Sequence, residues 1–363
     1  MAFLEFKNVR IAGMAAGVPE HISSNLHPDT EDSISSDYSP EDFVKTTGVA
    51  ERRTSSTLCT SDLCYAAAER LIADLGWEKK EITGILFVSQ TADYILPATA
   101  CILQDRLGLS KECYATDMAI GCSGWVYGLS ALAALVASGG IKKALLMVGD
   151  AKGRVYGKHN PLFGYAGTVT ALEYHEGSKG FQFHFGTDGS GFDAIITPDG
   201  GSRNQITEQS FQLYEYEGKQ LSRLQSRMKG MDVFSFGITT APKSIKKLAE
   251  HFEFDYQEAD YFVFHQANMK MNDFIVKKLK IDTDKVPSCM NKFGNTSSAS
   301  IPLTIVTQLK NKLTPSTKFI CCGFGVGLSW GSLYMETDTN IVISDLVEIT
   351  SVAINYRDML IKN

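Results

Sequence analysis

The sequence predicts a layered α/β protein made of two similar halves. When the chain is compared with itself at an offset of 176 residues, the apolar run at 84–90 (GILFVSQ) aligns with the run at 260–266 (DYFVFHQ). The run at 142–150 (KKALLMVGD) aligns within one position with the run at 317–325 (TKFICCGFG). These short runs are rich in β-branched and aromatic residues, which is typical of buried strands.

Segments with helical spacing of apolar residues precede strands in both halves. They cover 61–77 (SDLCYAAAERLIADLGW) and 239–254 (TTAPKSIKKLAEHFEF), so each half is predicted to run helix, strand, helix, strand. Because helical segments separate the strands, we expect mostly parallel sheets. Two such halves, at 1–180 and 181–337, would pack as one αβαβα body.

Three stretches interrupt this order. Residues 21–42 are rich in Ser, Asp and Pro and predict a loop before a short helix. Residues 199–227 form a polar insertion. The tail at 338–363 has no counterpart in the first half and is expected to be a C-terminal extension.

Composition argues against several classes of protein. The chain has 363 residues, 44% of them hydrophobic and 21% charged, as in a soluble globular protein with a substantial core. A net charge of -6 gives no sign of nucleic-acid binding along the whole chain. The eight cysteines include no CxxC pair and no close His/Cys cluster, so neither a metal site nor a disulfide framework is expected.

Targeting signals are also missing from the sequence pattern. No apolar run approaches the roughly 18 residues of a membrane span. The start of the chain (MAFLEFKNVR) lacks the apolar core of a signal peptide. We therefore expect a cytoplasmic protein.

Cys122 is the first candidate for chemistry. It follows a strand-like segment at 115–120 and precedes a long apolar run that predicts a helix. The N–H groups of the helix N-terminus would face its sulfur and favour the thiolate, which is the nucleophilic form. Gly121, Ser123 and Gly124 leave room for a substrate. The alternative is a small core residue at a tight helix–strand contact.

His265 and Asn295 are the second and third candidates. His265 ends an apolar strand of the second half, and α/β sites assemble at the carboxyl ends of strands. Asn295 lies in a turn (GNTSSAS) that opens the second half's counterpart of the Cys122 helix, since the offset carries Cys122 to Ser298. Its amide can donate to a developing enolate or oxyanion. The alternatives are a structural histidine and a helix N-cap.

The glycine-rich stretch at 323–331 (GFGVGLSWG) does not complete a GxGxxG dinucleotide motif, because Leu328 stands in place of the third glycine. It lies between an apolar strand and a strand-like segment at 332–336 (SLYME). We interpret it as a loop whose backbone approaches the site closely and can supply an amide to an oxyanion.

Cys122, His265 within HQAN and Asn295 within GNTSSAS closely resemble the β-ketoacyl-acyl carrier protein synthase III family of the thiolase superfamily. The resemblance runs from the N-terminus to about residue 336. It includes, in the family's order, TTGVAERR (46–53), LPATACILQDRLGL (96–109), TDGSG (187–191), MKGMDVF (228–234) and GFGVGLSWGS (323–332). It implies the thiolase fold, which is a duplicated five-layer αβαβα body.

The resemblance gives each residue a task. Cys122 takes an acyl group from a thioester of coenzyme A or of acyl carrier protein. His265 and Asn295 hydrogen-bond the thioester carbonyl of a malonyl-type donor and stabilise the enolate formed as carbon dioxide leaves. The carbanion attacks the acyl-cysteine and gives a 3-oxoacyl thioester, in fatty-acid initiation or a specialised fatty-acid or polyketide-like pathway. The amides of Cys122 and Val326 form the oxyanion hole, and no permanently bound cofactor is implied.

Several positions depart from the family's pattern. Val326 stands where the family usually has glycine. The Trp and Arg that clasp the adenine of coenzyme A fall on Asp42 and Thr46, a lysine at the mouth becomes Ser235, and the usual GDGAG becomes FGYAG at 163–167. These replacements favour a carrier protein over coenzyme A as the acyl donor.

Partners follow from two further features. Lys270, where the family has arginine, and Lys277 lie with Lys278 and Lys280 on or beside the helix after HQAN, where they can meet an acidic carrier protein. The alternative is a solvated helix face. Leu96 matches the family position that reaches across a dimer to bound the acyl pocket, which implies a homodimer.

Three other functions share parts of the pattern. Some relatives transfer the acyl group to oxygen or nitrogen and form an ester or amide without decarboxylation. A papain-like protease shares the order Cys, His, Asn, but here Cys122 lies deep in the chain within one of two similar halves. A catalytically silent partner subunit commonly lacks the nucleophile, which this chain retains.

Overall fold

The computed structural model describes residues 2–27, 39–151, 160–338 and 341–350. Its helices are α1 (Pro40–Thr47), α2 (Thr60–Leu75), α3 (Thr99–Arg106), α4 (Gly124–Ala137), α5 (Gly230–His251), α6 (Met269–Leu279), α7 (Met290–Phe293) and α8 (Ser300–Gln308). Its strands are β1 (Ala2–Phe6), β2 (Val9–Pro19), β3 (Ile22–Ser24), β4 (Glu51–Arg53), β5 (Ile82–Val88), β6 (Tyr114–Met118), β7 (Lys143–Asp150), β8 (Ala166–Tyr174), β9 (Phe181–Thr187), β10 (Ile195–Ile196), β11 (Tyr214–Tyr216), β12 (Lys219–Leu221), β13 (Arg227–Met228), β14 (Tyr261–Phe264), β15 (Lys318–Gly325), β16 (Ser329–Glu336), β17 (Val342–Ile343) and β18 (Val347–Ile349). Among the described helices, none combines the length and the apolar character that a bilayer crossing requires.

Five layers stack in the order helix, sheet, helix, sheet, helix. α2 and α3 cover the outer face of a seven-stranded sheet ordered β17-β2-β8-β7-β5-β6, in which β18 also pairs with β2. α4 and α8 lie between this sheet and a five-stranded sheet ordered β1-β9-β16-β15-β14. α5 covers the outer face of the second sheet, and α6 packs beside it. The predicted αβαβα body is therefore confirmed.

The strands predicted from the internal repeat occupy equivalent places in the two sheets. The runs at 84–90 and 142–150 contain β5 and β7, which are parallel neighbours. Those at 260–266 and 317–325 contain β14 and β15, which are parallel neighbours in the second sheet. The predicted helices are present as α2 and α5, but α5 begins earlier than the pattern indicated, at Gly230.

The expectation of mostly parallel sheets holds in the seven-stranded sheet, where four of the six described strand pairs are parallel, but is wrong for the five-stranded sheet, where one of four is. β7 pairs antiparallel with β8, and β8 with β2. In the second sheet β15 pairs antiparallel with β16, and β16 with β9. The reason is visible at the end of β15, where the chain returns as β16 through a short turn at 326–328. A parallel return would need a crossover connection of a dozen or more residues.

Two segments cross the boundary between the predicted halves. β1, from the first half, pairs with β9 in the second sheet. The tail contributes β17 and β18, which run parallel to β2 along its outer edge. In this tail Asp345 forms ion pairs with Arg70 of α2 and with Lys310, which follows α8. Residues 351–363 of the predicted extension lie outside the described residues.

The predicted irregular stretches are partly structured. The stretch at 21–42 includes β3 and the start of α1, and its residues 28–38 lie outside the described residues. The polar insertion at 199–227 holds the hairpin of β11 and β12. Within this insertion, Arg223 and Ser210 donate hydrogen bonds to Asp199, and these bonds lower the pKa of the Asp199 carboxyl group.

The central helix α4 positions the candidate site. Its sequence (GWVYGLSALAALVA) is apolar on every side, which is typical of a helix buried all round. Trp125, Leu129, Leu132 and Val136 are all buried in the main core, together with residues of both sheets. The residues at the N-terminus of α4 are therefore held between the two halves.

Candidate active site

Cys122 lies in the turn between β6 and α4, two residues before the helix begins. Cys122 is buried, with 8% of its surface exposed. A Cβ added at Gly325 would lie 2.6 Å from Cys122 Cβ and 2.9 Å from its Sγ. A Cβ added at Gly323 would lie 2.9 Å from the Cα of Ser123. The end of β15 thus packs directly on the cysteine, and this contact explains why both positions are glycine.

His265 directly follows β14 and is 2% exposed. Its backbone N–H donates to the carbonyl of Cys322 at 2.9 Å, which extends the β14–β15 ladder by one residue. Its Nδ1 lies 2.8 Å from Ser300 Oγ, and its ring meets that of Phe324 edge-on. Because Nδ1 is occupied, Nε2 is the nitrogen that a substrate can use.

Asn295 lies in the turn before α8 and is 5% exposed. Its Oδ1 accepts the backbone N–H of Ser297 at 2.8 Å, which fixes which end of the amide is the donor. Nδ2 makes a long contact of 3.4 Å with the carbonyl of Ala267, two residues after His265. Since Nδ2 carries two hydrogens, the second can donate to a substrate oxygen.

Backbone contacts hold Asn295 from the other side. Its N–H donates to the carbonyl of Leu162 at 2.9 Å, and its carbonyl accepts the N–H of Gly164 at 3.2 Å. Gly164 belongs to the FGYAG stretch, and a Cβ added there would lie 2.0 Å from the carbonyl oxygen of Phe293. This close approach requires glycine, so the altered stretch still serves as the backbone support of Asn295.

A chain of contacts joins the three candidates. Ser297, which is held by Asn295, places its Oγ 3.9 Å from Cys122 Sγ. Phe324 and Gly325 are neighbours in β15, and the first contacts His265 while the second contacts Cys122. Cys122 comes from the turn before α4 in the first half, and His265 and Asn295 come from the end of β14 and the turn before α8 in the second. The repeat suggested that these places would meet.

Val326 begins the turn that follows β15, one residue after the glycine packed on Cys122. It is half-buried. Its carbonyl accepts a hydrogen bond of 2.8 Å from Ser329 Oγ. The backbone of Val326 is thus restrained beside the cysteine.

Two family models match the chain, and together they include the three candidate residues. The model described as 3-oxoacyl-(acyl-carrier-protein) synthase III matches residues 116–189, and that of the C-terminal part of the same synthase matches residues 249–337. A protein from Campylobacter jejuni named putative 3-oxoacyl-(acyl-carrier-protein) synthase 3 is 32% identical over 342 residues, covering 91% of this chain and 94% of the relative. The chain belongs to the 3-oxoacyl-(acyl-carrier-protein) synthase III family. This is an enzyme family.

Solved structures agree with this membership. The 3-oxoacyl-(acyl-carrier-protein) synthase of Burkholderia xenovorans superimposes with a TM-score of 0.87 at 35% identity, covering 96% of this chain and 99% of that one. Synthase III of Pseudomonas aeruginosa superimposes with a TM-score of 0.78 at 26% identity, covering 93% and 100% of the two chains. The predicted thiolase fold of this synthase III family member is confirmed.

A buried carboxylate beside the site was not predicted from the sequence. Asp150 ends β7 and is 1% exposed. Its carboxylate accepts hydrogen bonds from the backbone N–H of Gln90 (2.8 Å), from Ser89 Oγ (3.1 Å) and from Ser298 Oγ (3.2 Å). Ser298 is the residue that the repeat aligns with Cys122, so the repeat held a signal for this contact between the halves.

The other buried thiols of this synthase III chain are in apolar surroundings. Burial raises the pKa of Cys289 to about 11 and that of Cys322 to about 12, and it also raises the pKa of Cys321 and Cys64. These thiols remain protonated at neutral pH and are unreactive. Cys122 differs from them in lying at a helix N-terminus.

The remaining predicted residues lie outside this cluster. Leu96 is 83% exposed, in the loop before α3. Lys270 and Lys277 are exposed on α6. Among the positions tied to coenzyme A, Asp42 and Ser235 are exposed, on α1 and α5 respectively. Asp42 also accepts a hydrogen bond from Ser39 Oγ at 3.0 Å, at the N-cap of α1.

Proposed function

We propose that this chain catalyses the decarboxylative condensation of an acyl thioester with a malonyl-type carrier-protein thioester, giving a 3-oxoacyl thioester. The observation that carries the proposal is the contact chain around Cys122, which lies at the N-terminus of the central helix with His265 and Asn295 held beside it. A nucleophile and two groups able to bind an enolate oxygen are what this reaction needs.

In the first step, the Cys122 thiolate attacks the carbonyl carbon of the acyl thioester. The carbonyl oxygen takes up the negative charge, and the amide N–H groups of Cys122 and Val326 stabilise it. The tetrahedral adduct then expels the thiolate of the donor and leaves an acyl-cysteine. The helix N-terminus favours the charged form of the nucleophile throughout.

In the second step, the malonyl-type thioester loses carbon dioxide, and the electron pair passes to its thioester oxygen as an enolate. Nε2–H of His265 and one Nδ2–H of Asn295 donate to this oxygen. This requires Ser300 Oγ to donate to Nδ1, so that the proton of the neutral imidazole lies on Nε2. The enolate carbon then attacks the acyl-cysteine carbonyl, and the thiolate of Cys122 leaves.

We propose acyl carrier protein as a partner that docks on α6. Lys270 and Lys277 are exposed there, with Lys278 and Lys280 nearby. The ring of Phe274 is partly exposed between these charges, and the ammonium group of Lys277 lies 5.9 Å from its centre. A basic surface with an apolar centre suits an acidic protein partner. Lys270→Glu and Lys277→Glu should raise the KM for carrier-bound substrates, whereas Lys312→Glu, after α8, should leave it unchanged.

We propose that the acyl donor is bound to carrier protein in preference to coenzyme A. The support is the exposed carboxylate of Asp42 on α1, at a position where the family has an adenine-clasping residue. A carboxylate there repels the phosphates of coenzyme A. The same KM measurement with acyl-coenzyme A tests this choice, since tighter binding of acyl-coenzyme A would contradict it.

We also propose a cytoplasmic homodimer. Ile95 and Leu96 are adjacent in the chain and 98% and 83% exposed in one protomer, and a contiguous exposed apolar patch favours burial against a partner. β6, which lies close to this loop in the chain, forms an edge of the larger sheet. The Leu96→Asp substitution should shift the molar mass measured by light scattering toward that of a monomer.

Intact-protein mass spectrometry tests the central proposal. The protein is incubated with acyl thioesters on coenzyme A and on carrier protein, and then with malonyl-carrier protein. An adduct on Cys122 that disappears as carbon dioxide and a 3-oxoacyl product form supports condensation. An adduct that malonyl-carrier protein leaves untouched would instead favour ester or amide formation, and an adduct that persists in Cys122→Ala would contradict the assigned nucleophile.

A further inference from the structure

Two buried serines connect the segments on either side of the candidate oxyanion hole. Ser123 directly follows Cys122 and is 1% exposed, and Ser329 opens β16 and is 5% exposed. Their Oγ atoms lie 2.8 Å apart, although the residues are 206 positions apart in the chain. Ser329 Oγ also lies 2.8 Å from the carbonyl oxygen of Val326.

The direction of these hydrogen bonds follows from counting protons. The carbonyl of Val326 can only accept, so Ser329 must use its single hydroxyl proton in that bond. Ser329 Oγ can then only accept from Ser123, whose own proton points to it. The result is a directed chain in which Ser123 donates to Ser329 and Ser329 donates to Val326.

This chain spans the place where the geometry of the site is most demanding. An oxyanion hole needs two N–H groups that both lie about 2.7–3.1 Å from one oxygen atom. The two amides proposed here belong to Cys122 in the first half and Val326 in the second, so they are not joined by one secondary-structure element, and their alignment depends on contacts between the two segments. The serine next to the first amide is linked through the second serine to the residue that carries the other amide.

We propose that Ser123 and Ser329 are positioning residues that hold the amide of Val326 in register with the amide of Cys122, so that both donate to the oxyanion of the acyl-transfer step. The inference rests on the proposed function and deepens it. The Ser329 hydroxyl restrains the peptide unit that follows Val326, and through it the turn that sets the direction of the Val326 N–H. Without that hydroxyl the turn loses this restraint. The amide would then sample orientations that miss the oxygen.

The test compares two reactions of Cys122 that differ in their need for an oxyanion hole. Acylation by a thioester forms a tetrahedral oxyanion, whereas alkylation by iodoacetamide displaces iodide directly and forms none. We expect Ser329→Ala to slow acylation about tenfold, because a misplaced donor loses much of its stabilisation of the transition state. The rate of alkylation should stay within about twofold of the wild-type rate.

Three further variants make the result specific. Ser123→Ala should produce a similar or smaller loss, and the double variant should lose no more than Ser329→Ala, since both hydroxyls act through one chain. Ser329→Thr keeps the hydroxyl and should restore most of the acylation rate. Ser244→Ala removes a hydroxyl from another buried pair, 2.7 Å from Ser332, and should leave acylation unchanged. Thermal unfolding of each variant checks that it is folded.

The outcomes separate this inference from the proposed function. If wild-type protein is acylated and Ser329→Ala is acylated equally fast, the positioning role is refuted while the function stands. Equal losses of acylation and alkylation would also refute it, because they would mean that the serines hold the thiol and not the amide. Failure of the wild-type protein to form any acyl adduct, with alkylation intact, would refute the function and the inference together.

Discussion

Replacing Gly325 by alanine should displace Cys122, the proposed nucleophile, with little other change. The added Cβ would lie 2.6 Å from Cys122 Cβ and 2.9 Å from Cys122 Sγ. Carbon atoms in contact normally lie about 3.5–4.0 Å apart, so the cysteine and β15 must separate by about 1 Å. β15 is held in its sheet by β14 and β16, whereas Cys122 lies in a turn, so we expect the cysteine to move.

The size of the effect follows from this displacement. A shift of about 1 Å in a reacting group can reduce the rate about 100-fold, so we expect that loss in the acylation of Cys122. Insertion of one methyl group into a packed core also costs about 1–3 kcal/mol of unfolding free energy. The two losses are separable, since a folded protein with slow acylation is the expected phenotype.

The assay is the rate of acyl-Cys122 formation by intact-protein mass spectrometry, together with thermal unfolding. Gly230→Ala is the matched control, because a Cβ at Gly230 meets nothing within 4 Å. It should be acylated at the wild-type rate. Acylation of Gly325→Ala at the wild-type rate would refute the close packing of β15 on Cys122.

Three other predictions follow from the buried parts of the molecule. Burial lowers the pKa of His184 to about 4 in the folded protein, whereas the usual pKa of histidine is near 6.5. Below pH 6.5 the unfolded chain therefore binds a proton more readily than the folded protein does, and the unfolding free energy should fall by about 2 kcal/mol between pH 7 and pH 5. His184→Gln should abolish this part of the fall in denaturant titrations. An identical pH dependence in the variant would contradict it. Ser300→Ala removes the hydrogen-bond partner of His265 Nδ1. Because one hydrogen bond contributes about 1 kcal/mol, condensation should be about fivefold slower in single-turnover assays, whereas acylation of Cys122 should be unchanged. Equal slowing of both steps would contradict the role proposed for His265. Ile349→Ala, in the tail strand β18, should cost about 2–4 kcal/mol in chemical unfolding because the side chain is only 9% exposed, and an unchanged midpoint would contradict burial of the tail.

The internal sequence repeat predicted the fold because the repeated residues form buried strands in both halves. Runs such as LLMV in β7 and FICC in β15 must be apolar wherever a strand has helices on both faces. The apolar composition of the runs did not show whether β8 and β16 would be parallel or antiparallel to their neighbours, because a buried strand is apolar in either arrangement. Their directions depend on the connection, and the turn at 326–328 is too short for a parallel return.

The candidate chemical residues were proposed from the sequence, but the groups that hold them in the structure were not predicted. Cys122, His265 and Asn295 stand next to turns or strand ends and carry recognisable chemistry. Ser123 and Ser329 have no such local signal, since a serine in a glycine-rich turn is ordinary and the contact forms only when the two halves pack. Residues with recognisable chemistry are thus easier to propose from sequence than the long-range hydrogen bonds that align them.

The tail along β2 also affects how copies of this chain can associate. β17 and β18 occupy the outer edge of β2, while β6 lies at the opposite edge of the same sheet. If two copies join their sheets through β6, the opposite edge of each sheet consists of β17 and β18, which have two and three residues and are too short to template a further strand. Assembly by strand addition is thereby self-limiting at two, which protects a long continuous sheet from growing into a fibre.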